Sequence, residues 1–149
     1  MLTIGAEPLD SPDARGLIDE LDAHLKSLYP PEENFLELPT ADVFLIARMD
    51  GAPVGCGAIR FLDPERAEVK RMYVAPAARG VGIASQVLAE LEDFARSRGA
   101  RRLVLETGIR QREAMALYER AGFVMIPCFG EYVTSPSSRC YEKRLLEEA

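Results

Sequence analysis

The chain has 149 residues, of which 48% are hydrophobic and 28% charged, so it is long enough for one sizeable core and its composition excludes extensive disorder. Its 24 acidic residues outnumber its 18 lysines and arginines, and the resulting net charge of −6 argues against a nucleic-acid partner. We expect neither a membrane segment nor a signal peptide, because no apolar run approaches the roughly 20 residues that span a bilayer and the N-terminus has no basic leader.

The N-terminal part of the sequence predicts a short strand followed by a helix. The strand covers Leu2–Ala6. Ser11 has a side chain typical of a helix N-cap, and Pro12 suits the first helical position. Apolar residues then recur at helical spacing, namely Leu17, Ile18, Leu21, Leu25 and Leu28. We expect Pro30 and Pro31 to end this helix and residues 32–38 to form a second, shorter one.

Residues 43–74 predict three strands joined by short turns. The strands cover residues 43–48, 54–62 and 68–74. Asp50 and Gly51 form a dipeptide typical of a hairpin turn, and Asp63 and Pro64 mark a second turn. Connections this short favour an antiparallel meander.

The second half of the sequence alternates between helices and strands. One apolar stripe at helical spacing ends before Gly99 and contains Ala84, Val87, Leu88, Leu91, Phe94 and Ala95. A second stripe ends before Gly122 and contains Ala114, Leu117, Tyr118 and Ala121. Strands are predicted at residues 102–107, 123–126 and 139–145. We therefore expect a single α/β (α+β) domain over residues 1–149, with a mixed, mostly antiparallel sheet of about six to seven strands and helices on both faces.

A glycine-containing loop at residues 74–84 lies between a strand and a helix. Gly80 and Gly82 allow backbone amides to approach an anion, and the helix N-terminus adds unpaired N–H groups and the positive end of its dipole. The loop is not a P-loop, because Ile83 and Ala84 stand where a lysine and a serine or threonine are required. A dinucleotide fingerprint would need a third glycine at Ser85; it stays an alternative in which Glu106 binds the ribose.

Two segments resemble the GNAT superfamily of N-acetyltransferases. Arg79, Gly82 and Ala84 match its motif A, Arg/Gln-x-x-Gly-x-Gly/Ala, and residues 114–123 match its motif B, A-x-x-L-Y-x-x-x-G-F. The resemblance extends over residues 43–145, whereas the first 40 residues match by layout only. It implies a small bacterial-type enzyme that uses acetyl-CoA as acyl donor and acetylates the primary amine of a small molecule by direct attack in a ternary complex.

The resemblance also implies where acetyl-CoA binds. The strand before the loop would separate from its neighbour, and the backbone of Met72, Tyr73 and Val74 would bind the pantetheine arm. A backbone N–H near Met72 would stabilise the oxyanion. The pyrophosphate would be held by the loop amides, which belong to Arg79, Gly80, Val81, Gly82, Ile83 and Ala84.

Three residues are candidates for proton transfer. Tyr118 matches the family position of the general acid, and its alternative is a core tyrosine. Glu68 lies where some family members carry a glutamate base, and strand alternation would put it on one face with Lys70, Met72 and Val74. Its alternative is an ordinary structural carboxylate. Glu106, at the end of the strand over residues 102–107, is the second candidate for the base or an anchor for the amine.

Further charged and aromatic residues are candidate ligand contacts, with solvated surface side chains as the alternative. Arg110 and Arg112 would meet the CoA 3′-phosphate, and Lys70 and Arg71 would attract phosphates or an acidic substrate. The irregular segment 126–138 would overhang the acceptor site, with substrate contacts at Phe129, Glu131 and Tyr132.

The cysteine pattern predicts reduced thiols in a cytoplasmic protein. The chain has three cysteines, Cys56, Cys128 and Cys140, and no two of them form a CxxC pair. Because it also has a single histidine, His24, we expect no metal site and no Cys-His enzyme. A non-catalytic acyl-CoA-binding module and a protein lysine or N-terminal acetyltransferase stay open as alternatives, as does a homodimer formed through the C-terminal strands.

Overall fold

A computed structural model describes residues 1–29 and 41–145, and within these ranges the chain forms seven strands and three α-helices. The strands are β1 (Leu2–Ala6), β2 (Val43–Met49), β3 (Ala52–Phe61), β4 (Arg66–Val74), β5 (Arg102–Gly108), β6 (Val124–Ile126) and β7 (Ser138–Arg144). The helices are α1 (Pro12–Leu28), α2 (Ile83–Ser97) and α3 (Arg112–Arg120). The helix predicted at residues 32–38, and the proline pair before it, lie outside the described residues.

All seven strands belong to one sheet, in the order β1-β2-β3-β4-β5-β7-β6. Neighbouring strands run antiparallel except β4 and β5, which run parallel. Asp50 and Gly51 both have positive φ angles, of 50° and 87°, as the tightest hairpin turns require. The predicted meander and the mixed, mostly antiparallel sheet are therefore confirmed.

Local sequence signals also set the helix ends. The Ser11 hydroxyl accepts a hydrogen bond from the Ala14 N–H at 3.1 Å, which caps α1 as predicted. Gly99 follows α2 and Gly122 follows α3, with φ angles of 86° and 95°, which are the left-handed conformations typical of helix C-termini.

Two hydrophobic clusters occupy the two faces of the sheet. Alternate residues of β2 point to opposite faces: Phe44 and Ile46 pack against α1, whereas Leu45 and Ala47 belong to the cluster that contains α2 and α3. The α1 cluster also includes Leu17 and, from the sheet, Cys56, Ala58 and Tyr73. The α2 cluster is the larger and includes Val87, Leu88, Leu91, Leu103, Leu105, Tyr118 and Tyr141. Helices therefore cover both faces, as predicted.

A β-bulge interrupts β4 at Arg71, a non-glycine residue with a φ of 57°. Cys56 pairs with Tyr73 but Ala58 pairs with Lys70, so Gly57 alone faces two residues of β4. Gly57 is required there: a Cβ atom on it would lie 2.6 Å from Met72 Sδ.

The bulge overturns the predicted alternation along β4. Before it, Val69 packs in the α2 cluster, so Glu68 and Lys70 face the α1 side. After it, Met72 and Val74 pack against the α2 cluster. The expectation that Glu68, Lys70, Met72 and Val74 share one face is therefore wrong, because the extra residue reverses the side-chain order.

The parallel pair β4 and β5 separates part of the way along its length. Pairing runs from Arg66 with Arg102 to Val69 with Leu105, and both strands then continue unpaired with each other, to Val74 and Gly108. This agrees with the separation expected from the resemblance. The gap opens a cleft at the centre of the sheet.

Two cysteines form a disulfide that the sequence did not predict. Cys128, which follows β6, is bonded to Cys140 on β7, and Cys56 is buried and free. The expectation of three reduced thiols is therefore wrong for this pair, because β6 and β7 bring together two cysteines that are 12 residues apart. None of the helices in the described part of the chain is long and apolar enough to cross a membrane.

Candidate active site

The cleft between β4 and β5 widens into a cavity of about 1140 Å³. Its wall is built from the second half of β4, the glycine loop, the end of β5, α3, the C-terminal half of α1, and Tyr132. The three proposed proton-transfer residues, Glu68, Glu106 and Tyr118, all line it. Of the predicted acetyl-CoA contacts, Val81 does not line the cavity and is 64% exposed. The others do, namely Met72, Tyr73, Val74, Arg79, Gly80, Gly82, Ile83 and Ala84.

One end of the cavity is an anion-binding arrangement of backbone. Gly80 and Gly82 have φ angles of 88° and 83°, which turn the chain into α2 in conformations that glycine adopts without strain. By helix geometry the N–H groups of Ile83, Ala84 and Ser85 have no partner within α2. The first turn of α2 contains no acidic side chain that would offset the positive end of its dipole.

Arg79 folds back over β4 beside this loop. Its Nε donates a hydrogen bond to the Val74 carbonyl oxygen at 2.9 Å, and its guanidinium lies 6.0 Å from the centre of the Tyr73 ring. The Tyr73 hydroxyl donates to Glu20 of α1 at 3.2 Å. These contacts fix the outer end of β4, and they keep the positive charge of Arg79 at the mouth of the cleft.

Tyr118 lies on α3 with its ring buried in the α2 cluster. The ring packs edge-on against Phe123, with ring centres 5.8 Å apart, and at a tilt against Tyr141, with ring centres 6.3 Å apart. Two aromatic neighbours thus fix its direction. Burial and, to a lesser degree, the negative charge of Glu106 raise the pKa of the Tyr118 phenol well above its usual range. The phenol is therefore a proton donor and not a base at neutral pH.

Glu68 is buried at the point where β4 and β5 separate, and only 3% of the residue is exposed. The Tyr132 hydroxyl donates a hydrogen bond to Glu68 Oε2 at 3.0 Å. Lys70 Nζ lies 3.9 Å from the same carboxylate oxygen and 3.3 Å from the Tyr132 hydroxyl. A buried carboxylate needs such partners, because an isolated charge in this environment is strongly destabilising.

Glu106 lies on the part of β5 that has separated from β4. The Ser138 hydroxyl donates a hydrogen bond to Glu106 Oε2 at 2.6 Å, and Ser135 Oγ lies 2.8 Å from Ser138 Oγ. Glu68 and Glu106 thus reach the cavity from the two separated strands. Glu68 has a hydroxyl partner, Tyr132, in the segment between β6 and β7, and Glu106 has one, Ser138, at the start of β7.

The end of α1 is attached to the loop between β5 and α3. The Tyr29 hydroxyl accepts a hydrogen bond from the Arg110 N–H at 2.9 Å, and Arg110 Nη1 donates to the Leu28 carbonyl oxygen at 2.6 Å. Gly108 makes room for Tyr29, since a Cβ there would lie 1.8 Å from the hydroxyl. Arg110, predicted as a contact of the 3′-phosphate, therefore connects α1 with this loop, on the cavity wall.

The free thiol is not a nucleophile. Burial raises the pKa of Cys56 to about 12, and its Sγ donates to the Arg71 carbonyl oxygen at 3.2 Å.

Sequence reasoning missed three hydrogen bonds in the site. They run from the Tyr132 hydroxyl to Glu68, from the Ser138 hydroxyl to Glu106, and from the Arg110 N–H to the Tyr29 hydroxyl. Each joins residues at least 32 positions apart. Local patterns carry no signal for such contacts.

Comparisons with known proteins agree with this geometry. Residues 11–123 match the model of the acetyltransferase (GNAT) family. An IAA acetyltransferase of Azospirillum brasilense is 46% identical over 136 residues, which cover 87% of this chain and 88% of that protein. A solved structure assigned as an acyl-CoA N-acyltransferase of Klebsiella pneumoniae superposes with a TM-score of 0.86 at 36% identity, covering 98% of this chain and 99% of that one. A GNAT structure from Elizabethkingia anophelis with acetyl-CoA bound has the same fold, with a TM-score of 0.70 at 18% identity over 96% of this chain and 97% of that one.

Proposed function

Because the chain belongs to the GNAT acetyltransferase family, we propose that it transfers the acetyl group of acetyl-CoA to the primary amine of a small molecule, in a ternary complex. One observation carries the proposal: a single cavity joins the glycine loop at the N-terminus of α2 to two carboxylates and a buried, protonated phenol. The loop suits the pyrophosphate of the donor, and the other groups suit proton transfer at the opposite end.

The acyl donor would lie in the gap between β4 and β5. The backbone from Met72 to Val74 has lost β5 as a partner and offers hydrogen-bonding groups to the amides of the pantetheine arm. The amides from Arg79 to Ala84 would hold the pyrophosphate, with the exposed Val81 contributing its backbone only. A backbone N–H near Met72 would stabilise the oxyanion.

Acetyl transfer to a protonated amine removes two protons from the nitrogen, one before the attack and one after it, and supplies one proton to the thiolate. Most primary amines are protonated at neutral pH, so Glu68 would accept a proton from the substrate, directly or through water. The amine nitrogen then attacks the thioester carbonyl carbon, and the carbon–sulfur bond breaks as the tetrahedral intermediate collapses. Tyr118 would protonate the leaving thiolate, and the second proton of the nitrogen would restore the phenol, directly or through water. The net product of the cycle is then one proton, which Glu68 releases to solvent. Glu106 would hold the substrate ammonium before attack, or replace Glu68 as the base.

The acceptor is proposed to be cationic or zwitterionic. Glu68 and Glu106 are negative groups in the same cavity, and a positively charged amine complements them. The relative from Azospirillum brasilense is named for IAA, which makes IAA one compound to include in a substrate panel. A cytoplasmic location stays a prediction. Pairing of two copies also stays a prediction; the outer strand β6 has two side chains more than half exposed, Val124 and Met125.

Thermal unfolding in the presence of acetyl-CoA, CoA, NAD and ATP tests the donor site first. A ligand at about 100 times its dissociation constant stabilises the folded protein by about 2.7 kcal/mol. We expect acetyl-CoA and CoA to protect and NAD not to protect. An amine panel scored by thiol release then tests the reaction. Protection by NAD alone would refute the donor site, and protection by CoA with turnover only on peptides would refute the small-molecule acceptor.

A further inference from the structure

We propose that Tyr132 is a positioning residue that holds the carboxylate of Glu68 ready to accept a proton. The inference rests on the proposed function, in which Glu68 is the base. Tyr132 belongs to neither family motif and lies 64 positions from Glu68 along the chain. Its hydroxyl joins an oxygen of Glu68 to Lys70, in a cluster of three polar side chains within the cleft.

The cluster is buried and tightly spaced. Tyr132 is 3% exposed, and the side chains of Lys70 and Glu68 are 7% and 4% exposed. The Tyr132 hydroxyl donates to Glu68 at 3.0 Å and accepts from Lys70 at 3.3 Å. A phenol in this arrangement has one proton, and the carboxylate is its acceptor, because the ammonium group can only donate.

The segment that carries Tyr132 is anchored on both sides. The Cys128–Cys140 disulfide ties its beginning to β7, and the Ile109 N–H donates to the Ser137 carbonyl oxygen at 2.8 Å near its end. The Phe129 ring packs edge-on against the Tyr132 ring at 5.6 Å. The backbone around Tyr132 is therefore held in place, so the hydroxyl has a defined direction, as a positioning role requires.

The groups around Glu68 determine whether loss of the Tyr132 hydroxyl raises or lowers the pH at which Glu68 takes up a proton. In the described part of the chain these groups include Lys70 on β4, Arg60 in register on β3, and Glu106 across the cavity on β5. The same cavity is also lined by Arg71 of β4 and by Asp22, His24 and Lys26 of α1. A hydrogen bond donated to a carboxylate stabilises its charged form. Removing the Tyr132 hydroxyl leaves the other groups unchanged, so protonation of the base should then occur at higher pH.

The test is the pH profile of kcat/KM for Tyr132→Phe, which keeps the ring and removes the hydroxyl. We expect the acidic limb to move up by about one pH unit, because a hydrogen bond to a charged group contributes roughly that much. Activity should approach that of the wild type at high pH, and protection by acetyl-CoA should not change. The matched control is Tyr141→Phe, which removes another phenol–carboxylate bond of 3.0 Å, to Glu119, outside the cavity. Tyr141→Phe should leave the acidic limb of the kcat/KM profile at the same pH as in the wild type.

A second comparison separates action through Glu68 from a general structural effect. In a Glu68→Gln background, Tyr132→Phe should cause little further loss of kcat/KM, since the group it positions is gone. If Tyr132→Phe does not fold, Tyr132→Leu, which also removes the hydroxyl and leaves the charge of Lys70 in place, provides the same test. An unchanged limb, or an equal loss in both backgrounds, would overturn the role of Tyr132. A wild-type protein without turnover on any amine would refute the proposed function itself.

Discussion

Gly57→Ala is the sharpest test of how the bulge in β4 shapes the site. An added Cβ would lie 2.6 Å from Met72 Sδ and 2.9 Å from both Leu91 Cδ1 and Val87 Cγ1. Val87 and Leu91 are fully buried, so either their side chains must change conformation within a packed core or α2 must shift to relieve these contacts. Overpacking of this kind costs about 1–3 kcal/mol, which corresponds to a fall in Tm of about 2–12 °C for a chain of this size.

The same substitution should reduce activity more than the loss of stability explains. The added methyl group would also press on Met72, and we expect part of that displacement to reach the Met72 backbone, which is proposed to stabilise the oxyanion. A misplacement of about 1 Å in a site of this kind costs on the order of 100-fold in rate. We therefore expect kcat to fall by about 10-fold to 100-fold at temperatures well below the Tm of the variant.

Calorimetry and thiol-release kinetics measure the two effects. The control is Gly5→Ala on β1, where an added Cβ meets no atom within 4 Å. Its kcat should equal that of the wild type. Its Tm should be equal or slightly higher, because alanine restricts the unfolded chain. If Gly57→Ala kept both the Tm and the kcat of the wild type, the close approach of Met72 and α2 to Gly57 would not be what supports the bulge.

Three further predictions address the acid, the disulfide and the wall of the cavity. Tyr118→Phe should lower kcat by about 100-fold or more at neutral pH, the lower end of general acid catalysis, while leaving protection by CoA intact; an unchanged kcat would remove Tyr118 as the acid. Reduction of the Cys128–Cys140 disulfide should lower the free energy of unfolding by about 3 kcal/mol, and Cys128→Ser should be insensitive to reductant in the same calorimetric scan. An equal effect of reductant on both proteins would contradict this. Gly108→Ala should displace Tyr29 from the cavity wall at the end of α1, which under the proposed function faces the acceptor. KM for the amine should then rise more than KM for acetyl-CoA, as initial-rate kinetics with each substrate varied would show; equal changes in both constants would count against a local effect at the acceptor side.

Features governed by neighbouring residues could be predicted from the sequence. The N-cap at Ser11, the hairpin at Asp50 and Gly51, and the amphipathic stripe of α2 depend on side chains within one turn of each other. Motif A and motif B depend on short spacings, and they indicated the family that the comparisons show. The antiparallel meander of β2, β3 and β4 could be predicted because short connections leave few arrangements.

Features that depend on tertiary contacts could not be predicted. The bulge at Arg71 requires a glycine on the neighbouring strand, so simple alternation put Met72 on the wrong face. The Cys128–Cys140 disulfide depends on the pairing of β6 with β7, which cysteine spacing alone does not reveal. Tyr132 could be named as a candidate contact, but its partner Glu68 became evident only when the segment between β6 and β7 was seen over β4.

The division of the core between two faces of the sheet has a consequence for how such a protein diversifies. The cavity wall formed by α1 rests on one hydrophobic cluster, and the glycine loop rests through α2 on the other. Substitutions that are far apart and share no partners have nearly independent effects on stability. Under the proposed function, mutations on the inner surface of α1 would therefore alter which acceptor fits, while the proposed donor end kept its packing. Gene duplication followed by drift in α1 alone would then produce enzymes that share a donor and differ in acceptor.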